Sequence, residues 1–290
     1  MRNLVDLPDR WVVAAGLRTR FREAGDGPPL VLLHGIGGHL GFWEACFAAL
    51  AARFRTIAVD VCGFGASEAP GEVSRAAFRE WLAEVLDGVG ASRAAVAASS
   101  LGASVALALA LEEPERFSAL ALVGSASLGR NIGFSFRAAS IPMLGERILG
   151  SDPKSIRRDL LRLTCRQDWV WEGLLEETAC FASLPGPSKF FFRSLRWGVS
   201  FLGGMKANAV LLDELHRLTM PVLLVWGRED PVFPLQDAER AAARVPDAEL
   251  KILEDCGHMP HMERPAEFAE LLIDFLVRRG VAAPTTRAAE

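Results

Sequence analysis

The stretch 94–113, AAVAASSLGASVALALALEE, constrains this chain more than any other. Residues 94–98 are short, apolar and small, and they lead into the pair Ser99 and Ser100. From Leu101 onward the residues are helix formers, and they run to Glu113 just before Pro114. That order predicts a strand, a sharp turn at Ser100 and a helix over 101–113.

The same rhythm recurs along the chain. Residues 11–24 read as two strands hinged at Gly16. In the second, Leu17, Thr19 and Phe21 alternate with Arg18, Arg20 and Arg22, which predicts a half-exposed edge hairpin. The continuous apolar run 30–33 suits a parallel strand covered on both faces. Further strands are expected at 55–60, 120–123, 221–226 and 248–253. Helices are expected at 74–89, 236–244 and 265–279. The 74–89 helix starts at Ser74 and carries Phe78, Trp81, Leu82, Val85 and Leu86 on one stripe, which reads as core. Regular alternation of this kind predicts a parallel, doubly wound sheet. Between 127 and 216 the rhythm breaks. No strand is predicted there. The stretch is helix-prone, interrupted near Pro142, Pro153, Pro185 and Gly203, and rich in aromatics such as Phe134, Phe136, Trp169, Phe181 and Phe192. The tail beyond Gly280 is expected to be disordered.

At 290 residues the chain suits one large α/β domain or a domain plus an insertion, and half its residues are hydrophobic, ample for a core. A net charge of −4 points away from nucleic acid or another polyanion. The five cysteines (46, 62, 165, 180 and 256) are odd in number and have no C-x-x-C spacing, so they read as reduced thiols of a cytoplasmic protein. The N-terminal MRNLVDLPDRW lacks the apolar core of a signal peptide, and no apolar run is long enough to span a membrane. The loop 34–38, His-Gly-Ile-Gly-Gly, follows a strand but lacks both G-x-G-x-x-G and a P-loop lysine, so no nucleotide cofactor is expected. Neither is a metal.

Five motifs then stand in order across 30–265. They are the His34-Gly35 loop, Asp60-x-x-Gly63-x-Gly65-x-Ser67, the A-S-S-L-G turn at 98–102, Gly227-x-x-Asp230-x-x-x-Pro234, and Gly257-His258-x-Pro260-x-x-Glu263-x-Pro265. Together the set resembles the serine-nucleophile branch of the α/β-hydrolase fold superfamily, with Ala98 where the first glycine of G-x-S-x-G usually stands. The resemblance implies a mostly parallel eight-stranded sheet flanked by helices, with a helical cap inserted. It divides the chain into core (1–126), cap (127–216) and core again (217–290). It implies Ser100 as nucleophile, His258 as base and Asp230 as the third member, with Glu229 as fallback. The backbone N–H groups of Ile36 and Leu101 are implied as the oxyanion hole. His34 is implied to be structural, Asp60 to tie its own loop, and His261 to have no catalytic part.

Pocket candidates are Trp43, Phe190, Phe191, Trp197 and Met259. Phe42 and Trp43 read more readily as core, although their position often touches the site in this family. The expected partner is a small substrate with apolar groups; monomer and homodimer both stay open. The leading functional expectation is hydrolysis of carboxylic esters. The alternative is a C–C bond hydrolase of ring-cleavage type. Those relatives commonly have Trp after the catalytic His, where this chain has Met259, and hold an anionic substrate with cap arginines, for which Arg193 and Arg196 are candidates. A catalytically silent binding member is the third. Serine at the elbow speaks against haloalkane dehalogenases and epoxide hydrolases, which place an aspartate there.

Overall fold

Eight strands form one sheet in the computed structural model, which describes residues 3–166 and 168–283. In chain order its first six are β1 (Arg10–Ala14), β2 (Leu17–Ala24), β3 (Pro29–Leu33), β4 (Arg55–Val59), β5 (Ala94–Ser99) and β6 (Phe117–Val123). Between them run the helices α1 (Glu44–Ala51), α2 (Arg75–Gly88) and α3 (Leu101–Ala110). After β6 the chain leaves the sheet for α4 (Phe134–Ala139), α5 (Leu144–Ile148), α6 (Pro153–Leu161), α7 (Glu172–Ser183) and α8 (Pro185–Gly198). A two-residue hairpin follows, β7 (Val199–Ser200) with β8 (Gly204–Met205). The chain then rejoins the sheet with β9 (Val222–Gly227), α9 (Leu235–Ala242), β10 (Ala248–Leu253), α10 (Pro260–Glu263) and α11 (Pro265–Arg278). The sheet order is β1-β2-β4-β3-β5-β6-β9-β10, antiparallel at its first two pairings and parallel at the rest.

Alternation within the strands splits the interior into two cores. Val31, Leu33, Val96 and Ala98 face one layer with α2, α3 and α9. Leu30, Leu32, Ala95 and Ala97 face the other with α1 and α11. Both faces are covered, as a parallel sheet requires. The Ser74 hydroxyl accepts from Ala77 N–H at 3.1 Å to cap α2, and the whole predicted stripe from Phe78 to Leu86 is buried.

Three sequence expectations need correction. The helix after Ser100 stops at Ala110, three residues short of Glu113. The inserted stretch does contain strand, the small β7–β8 hairpin, because Gly204 at φ +68 closes a tight turn. The third is β2. The β1–β2 hairpin does lie at the edge of the sheet, but β2 is not half-exposed by alternation: Thr19, Arg20 and Phe21 are all buried, Arg20 at only 4% exposure. Tail residues are ordered at least to Ala283, whose carbonyl accepts from Arg53 at 2.7 Å; the rest of the expectation lies outside the described residues.

Arg20 is buried because it has partners there. Its Nε donates to Asp60 Oδ2 at 2.6 Å, and Asp60 is fully buried at the end of β4. The other Asp60 oxygen accepts from Leu40 N–H at 2.7 Å, while Oδ2 also takes Ala66 N–H at 2.8 Å. The same guanidinium reaches Glu177 Oε1 on α7 at 3.3 Å and lies 5.1 Å from the ring of Phe181. Nearby, His39 Nε2 pairs with the Thr178 hydroxyl at 3.0 Å. Burial pushes the Glu177 carboxyl up and His39 well below the ordinary imidazole range. The inserted helix α7 is thus fastened to the sheet through polar groups.

Removing Arg20 while leaving Asp60 buried should be severe. We expect Arg20→Met to lower the unfolding free energy by about 3–5 kcal/mol, the usual cost of stranding one partner of a buried pair. Denaturant titration checks it, and a loss under about 1 kcal/mol, typical of an exposed pair, would show that the ion pair is not what holds this region.

Candidate active site

Ser100 sits at the turn from β5 into α3 with φ +51 and ψ −114. A side chain at positive φ costs on the order of 1–3 kcal/mol and persists only where its surroundings enforce it. Here Ser100 N–H donates to Val123 O at 3.0 Å, and Ala126 N–H donates to Ser100 O at 3.2 Å, so the end of β6 clamps the turn. A Cβ on Gly102 would stand 2.6 Å from His34 O, and one on Gly35 would stand 3.0 Å from Ser100 Cβ. Glycine at these two positions lets α3 and the loop 34–38 close on the serine. Leu101 opens α3, so its N–H has no partner within the helix and lies at the positive end of the helix dipole. Ile36 follows Gly35 in the loop on the other side. His34 is buried, with Nδ1 2.7 Å from Gly35 O and Nε2 accepting from Val61 N–H at 2.9 Å, which is a structural pattern.

Asp230 lies three residues beyond β9. Its Oδ1 accepts from Val232 N–H at 2.7 Å and Phe233 N–H at 3.1 Å, which aims Oδ2 at His258 Nδ1, 2.9 Å away. Both side chains are nearly fully buried. With Nδ1–H donating to the carboxylate, Nε2 is left as the acceptor nitrogen. A Cβ on Gly124 would come within 3.0 Å of His258 Nδ1, and Gly124 directly follows Val123, which holds Ser100. The serine turn and the imidazole therefore both pack against the end of β6. Glu229, the fallback acid, points elsewhere and accepts from Cys256 N–H at 3.0 Å.

Two neighbours of His258 have clear jobs. Glu263 accepts from Gly257 N–H at 3.0 Å and Met259 N–H at 3.2 Å, on either side of the histidine. It also accepts from Cys165 N–H at 2.7 Å and Arg166 N–H at 3.2 Å in the inserted segment. The motif marked Glu263 in sequence, but nothing there pointed to its hold on 165–166. His261 is buried with its ring centroid 4.2 Å from that of Trp43, and neither ring nitrogen has a hydrogen-bond partner among the described residues. Burial drives its pKa down to about 3.

Beside this centre lies a cavity of about 210 Å³. Ile36, Gly37 and Gly38 bring the loop to its wall, Met259 brings the histidine loop, and Phe136, Phe181, Phe191 and Phe192 come from the inserted helices. Of the predicted pocket residues, Phe191 and Met259 line it, while Trp43, Phe190 and Trp197 do not. Trp43 is fully buried against His261 and Phe268. Phe190 is packed edge-on to Phe64 at 5.3 Å. Trp197 packs against the larger core. Phe42, read as core, is buried in a hydrophobic cluster and also stands on the cavity wall. Arg193 donates to Gly71 O, and Arg196 pairs with Glu146 at 2.6 Å; neither borders the cavity. The charged residues on its wall are Asp159 and Arg162, 3.4 Å apart. Among the described residues no group of three His, Cys, Asp or Glu side chains is arranged to hold a metal ion.

Comparison with known proteins adds a family. A profile described as the Alpha/beta hydrolase family matches residues 30–271. The 2-hydroxymuconate semialdehyde hydrolase of Pseudomonas sp. (strain CF600) is 31% identical over 287 residues, covering 94% of this chain and 95% of that protein. The pimeloyl-[acyl-carrier protein] methyl ester esterase of Aeromonas hydrophila subsp. hydrophila is 30% identical over 254 residues, covering 87% and 96%. A solved meta-cleavage product hydrolase from Pseudomonas fluorescens IP01 shares the fold, with a TM-score of 0.79 at 23% identity, covering 94% of this chain and 99% of that one.

Two outcomes follow from the neighbours of His258. Glu263→Ala strands several backbone donors, each worth about 1–3 kcal/mol if left unpaired and buried. We expect a stability loss of at least about 2 kcal/mol, read by denaturant titration, and a lower kcat because the histidine loop loosens; an unchanged kcat would mean that the loop is held otherwise. For His261 the folded pKa is about 3 against an ordinary value of 6.5, so the unfolded chain takes the proton first. Its contribution to stability is whole above pH 6.5 and is lost as pH falls towards 3, at up to about 1.4 kcal/mol per unit. His261→Phe should therefore flatten the fall of stability on the acid side, leaving the slope due to buried His34 and His39. An unaltered slope would show that His261 is already paired.

Proposed function

Because this chain belongs to the alpha/beta hydrolase family, we propose that it hydrolyses carboxylic esters with modest, apolar acyl or alcohol groups, through Ser100, His258 and Asp230. Serine at its free pKa is a weak nucleophile. In this reading His258 Nε2 takes the proton as Ser100 Oγ attacks the ester carbonyl, and Asp230 stabilises the imidazolium through the Nδ1 hydrogen bond. Charge that develops on the carbonyl oxygen is met by the N–H groups of Ile36 and Leu101. Collapse of the tetrahedral intermediate releases the alcohol, which leaves with the proton from His258. Water then attacks the acyl-serine, giving its proton to the same nitrogen; the second tetrahedral intermediate collapses, His258 returns that proton to Ser100 Oγ, and the acid departs. The inserted segment 127–216 serves as a cap that shapes the substrate pocket. Protein groups and water suffice for every step.

One observation carries the ester over the C–C bond: the cavity wall is mostly apolar, Arg162 on it is paired with Asp159 at 3.4 Å, and Arg193 and Arg196 are engaged away from it. A C–C hydrolase must also ketonise a dienol and grip its carboxylate, which calls for a positioned cation. The second reading stays in play because one relative is a 2-hydroxymuconate semialdehyde hydrolase. A cavity of about 210 Å³ is below the 300–1,000 Å³ usual for drug-sized ligands, which suits short- to medium-chain groups.

A panel of p-nitrophenyl esters beside a 2-hydroxy-6-oxo-dienoate tests both points. We expect the esters to be cleaved with the higher kcat/KM, and Ser100→Ala to lose on the order of 10⁴–10⁶ in turnover with its fold intact. A dienoate preference that disappears in Arg193→Ala or Arg196→Ala would reverse the ranking. An alanine variant retaining about a tenth of the wild-type rate, against the far larger losses seen for a triad serine, would remove Ser100 from the mechanism.

A further inference from the structure

Large apolar side chains left in solvent are unevenly placed on this molecule. Of the nine such residues among those described, six lie between 127 and 216: Phe134, Met143, Leu144, Leu184, Phe201 and Leu202. Three of these form one patch. Phe134 opens α4 and is 71% exposed, and its ring centroid lies 6.0 Å from that of Phe201. Leu202 follows in the turn between β7 and β8 and is 86% exposed. Arg137 fastens that turn to α4, donating to Phe201 O at 2.6 Å and Leu202 O at 3.1 Å.

Charge is segregated in the same place. Segments 127–145 and 196–212, which carry the patch, contain Arg130, Arg137, Arg196 and Lys206 and not one Asp or Glu. Arg196 is paired with Glu146; the other three have no carboxylate partner among the described residues. The whole stretch 127–216 has twelve Lys and Arg against nine Asp and Glu, although the chain as a whole stands at −4. The net charge therefore conceals a cationic, partly apolar face. It adjoins the pocket, because Ser135, Phe136 and Ala139 on α4 line the cavity while Phe134 beside them is in solvent.

From this arrangement we propose that the face built from α4 and the β7–β8 turn docks on an anionic lipid surface. Apolar side chains rimmed by unpaired cations match the boundary between lipid tails and anionic headgroups. A second copy of the chain matches less well. A twofold contact would set the patch against itself and bring Arg130, Arg137 and Lys206 against their own copies. No helix among the described residues is long and apolar enough to cross a membrane, so contact of this kind is peripheral. Docking does not depend on the chemistry at Ser100, although it would present the cavity mouth to lipid-borne esters.

Co-sedimentation of the full chain with vesicles tests it, using phosphatidylglycerol against phosphatidylcholine. We expect binding to the anionic vesicles that weakens as salt rises. The double variant Phe134→Asp, Leu202→Asp should partition roughly tenfold or more less well, since it takes apolar area from the boundary and adds like charge. Arg130→Glu with Lys206→Glu should lose the preference for phosphatidylglycerol, with Tm in both double variants close to wild type. Ser100→Ala should bind vesicles like wild type, which separates docking from catalysis. Equal partition into both vesicle types, or binding indifferent to the substitutions, would overturn the proposal. So would sedimentation velocity showing a dimer that Leu202→Asp splits, together with no vesicle binding; the patch would then be a self-association face.

Discussion

The backbone at Ser100 is the constraint on which the rest of the site depends. A serine held at φ +51 is unfavourable by itself, and local sequence cannot maintain it. Hydrogen bonds between Ser100 and the segment 123–126 impose it, and those exist only because β5 and β6 pair in parallel register, Ser99 opposite Val123. Small residues follow from the same turn. Ala98 is buried in β5, and glycine at 35 and 102 lets the flanking loop and helix approach. A larger residue at either glycine would push apart the groups the turn brings together. The sheet is thus the device that holds one strained residue in place.

A second layer of constraint joins the inserted helices to that sheet. The insertion meets it through buried polar contacts as well as apolar ones. Arg20 bridges Asp60 and Glu177, His39 pairs with Thr178, and Glu263 takes backbone donors from both the histidine loop and residues 165–166. Such pairs need defined distances, so they set the position of α7 more sharply than apolar contact would. Thr178 and Phe181 on that helix line the cavity. Pocket shape and the fastening of the insertion are consequently one structural property.

Much of this was legible in the sequence where the signal is local. Apolar runs located the parallel strands, Ser74 located a helix start, and the motif glycines located the tight loops, because each depends on a few neighbouring residues. Asp230 and His258 could be named from their strings, and they do come within 2.9 Å of each other. What failed depends on residues distant in the chain. Alternation in β2 suggested that Arg20 faces solvent, yet its environment is set by Asp60 and Glu177, 40 and 157 positions away. Phe42 and Trp43 are adjacent, and the sequence favoured the wrong one for the pocket. Which of two neighbouring rings turns towards α7 is decided by how the insertion packs. The aromatic density of 127–216 was visible, but Phe190 and Phe191 point to different surroundings for the same reason.

Charge placement gives the same lesson about substrate. Ester and C–C hydrolysis share nucleophile, base and oxyanion donors, so the end of β6 cannot distinguish them. Discrimination must come from groups that touch the remainder of the substrate. In this molecule Arg193, Arg196 and Arg137 of the inserted segment are engaged away from the cavity, with Gly71 O, Glu146 and the turn at 201–202, while Arg162 on the wall is paired with Asp159. With that wall cation already paired, a mostly apolar cavity of this kind favours a neutral substrate, because a carboxylate buried there would lose its hydration without full compensation. The cations on the outside act on a different scale, attracting an anionic surface before any single molecule enters. Polarity is thereby divided between the two faces of one insertion. Under the proposed ester chemistry the mostly apolar inner face would take neutral groups, and the outer face would meet the kind of surface that supplies them.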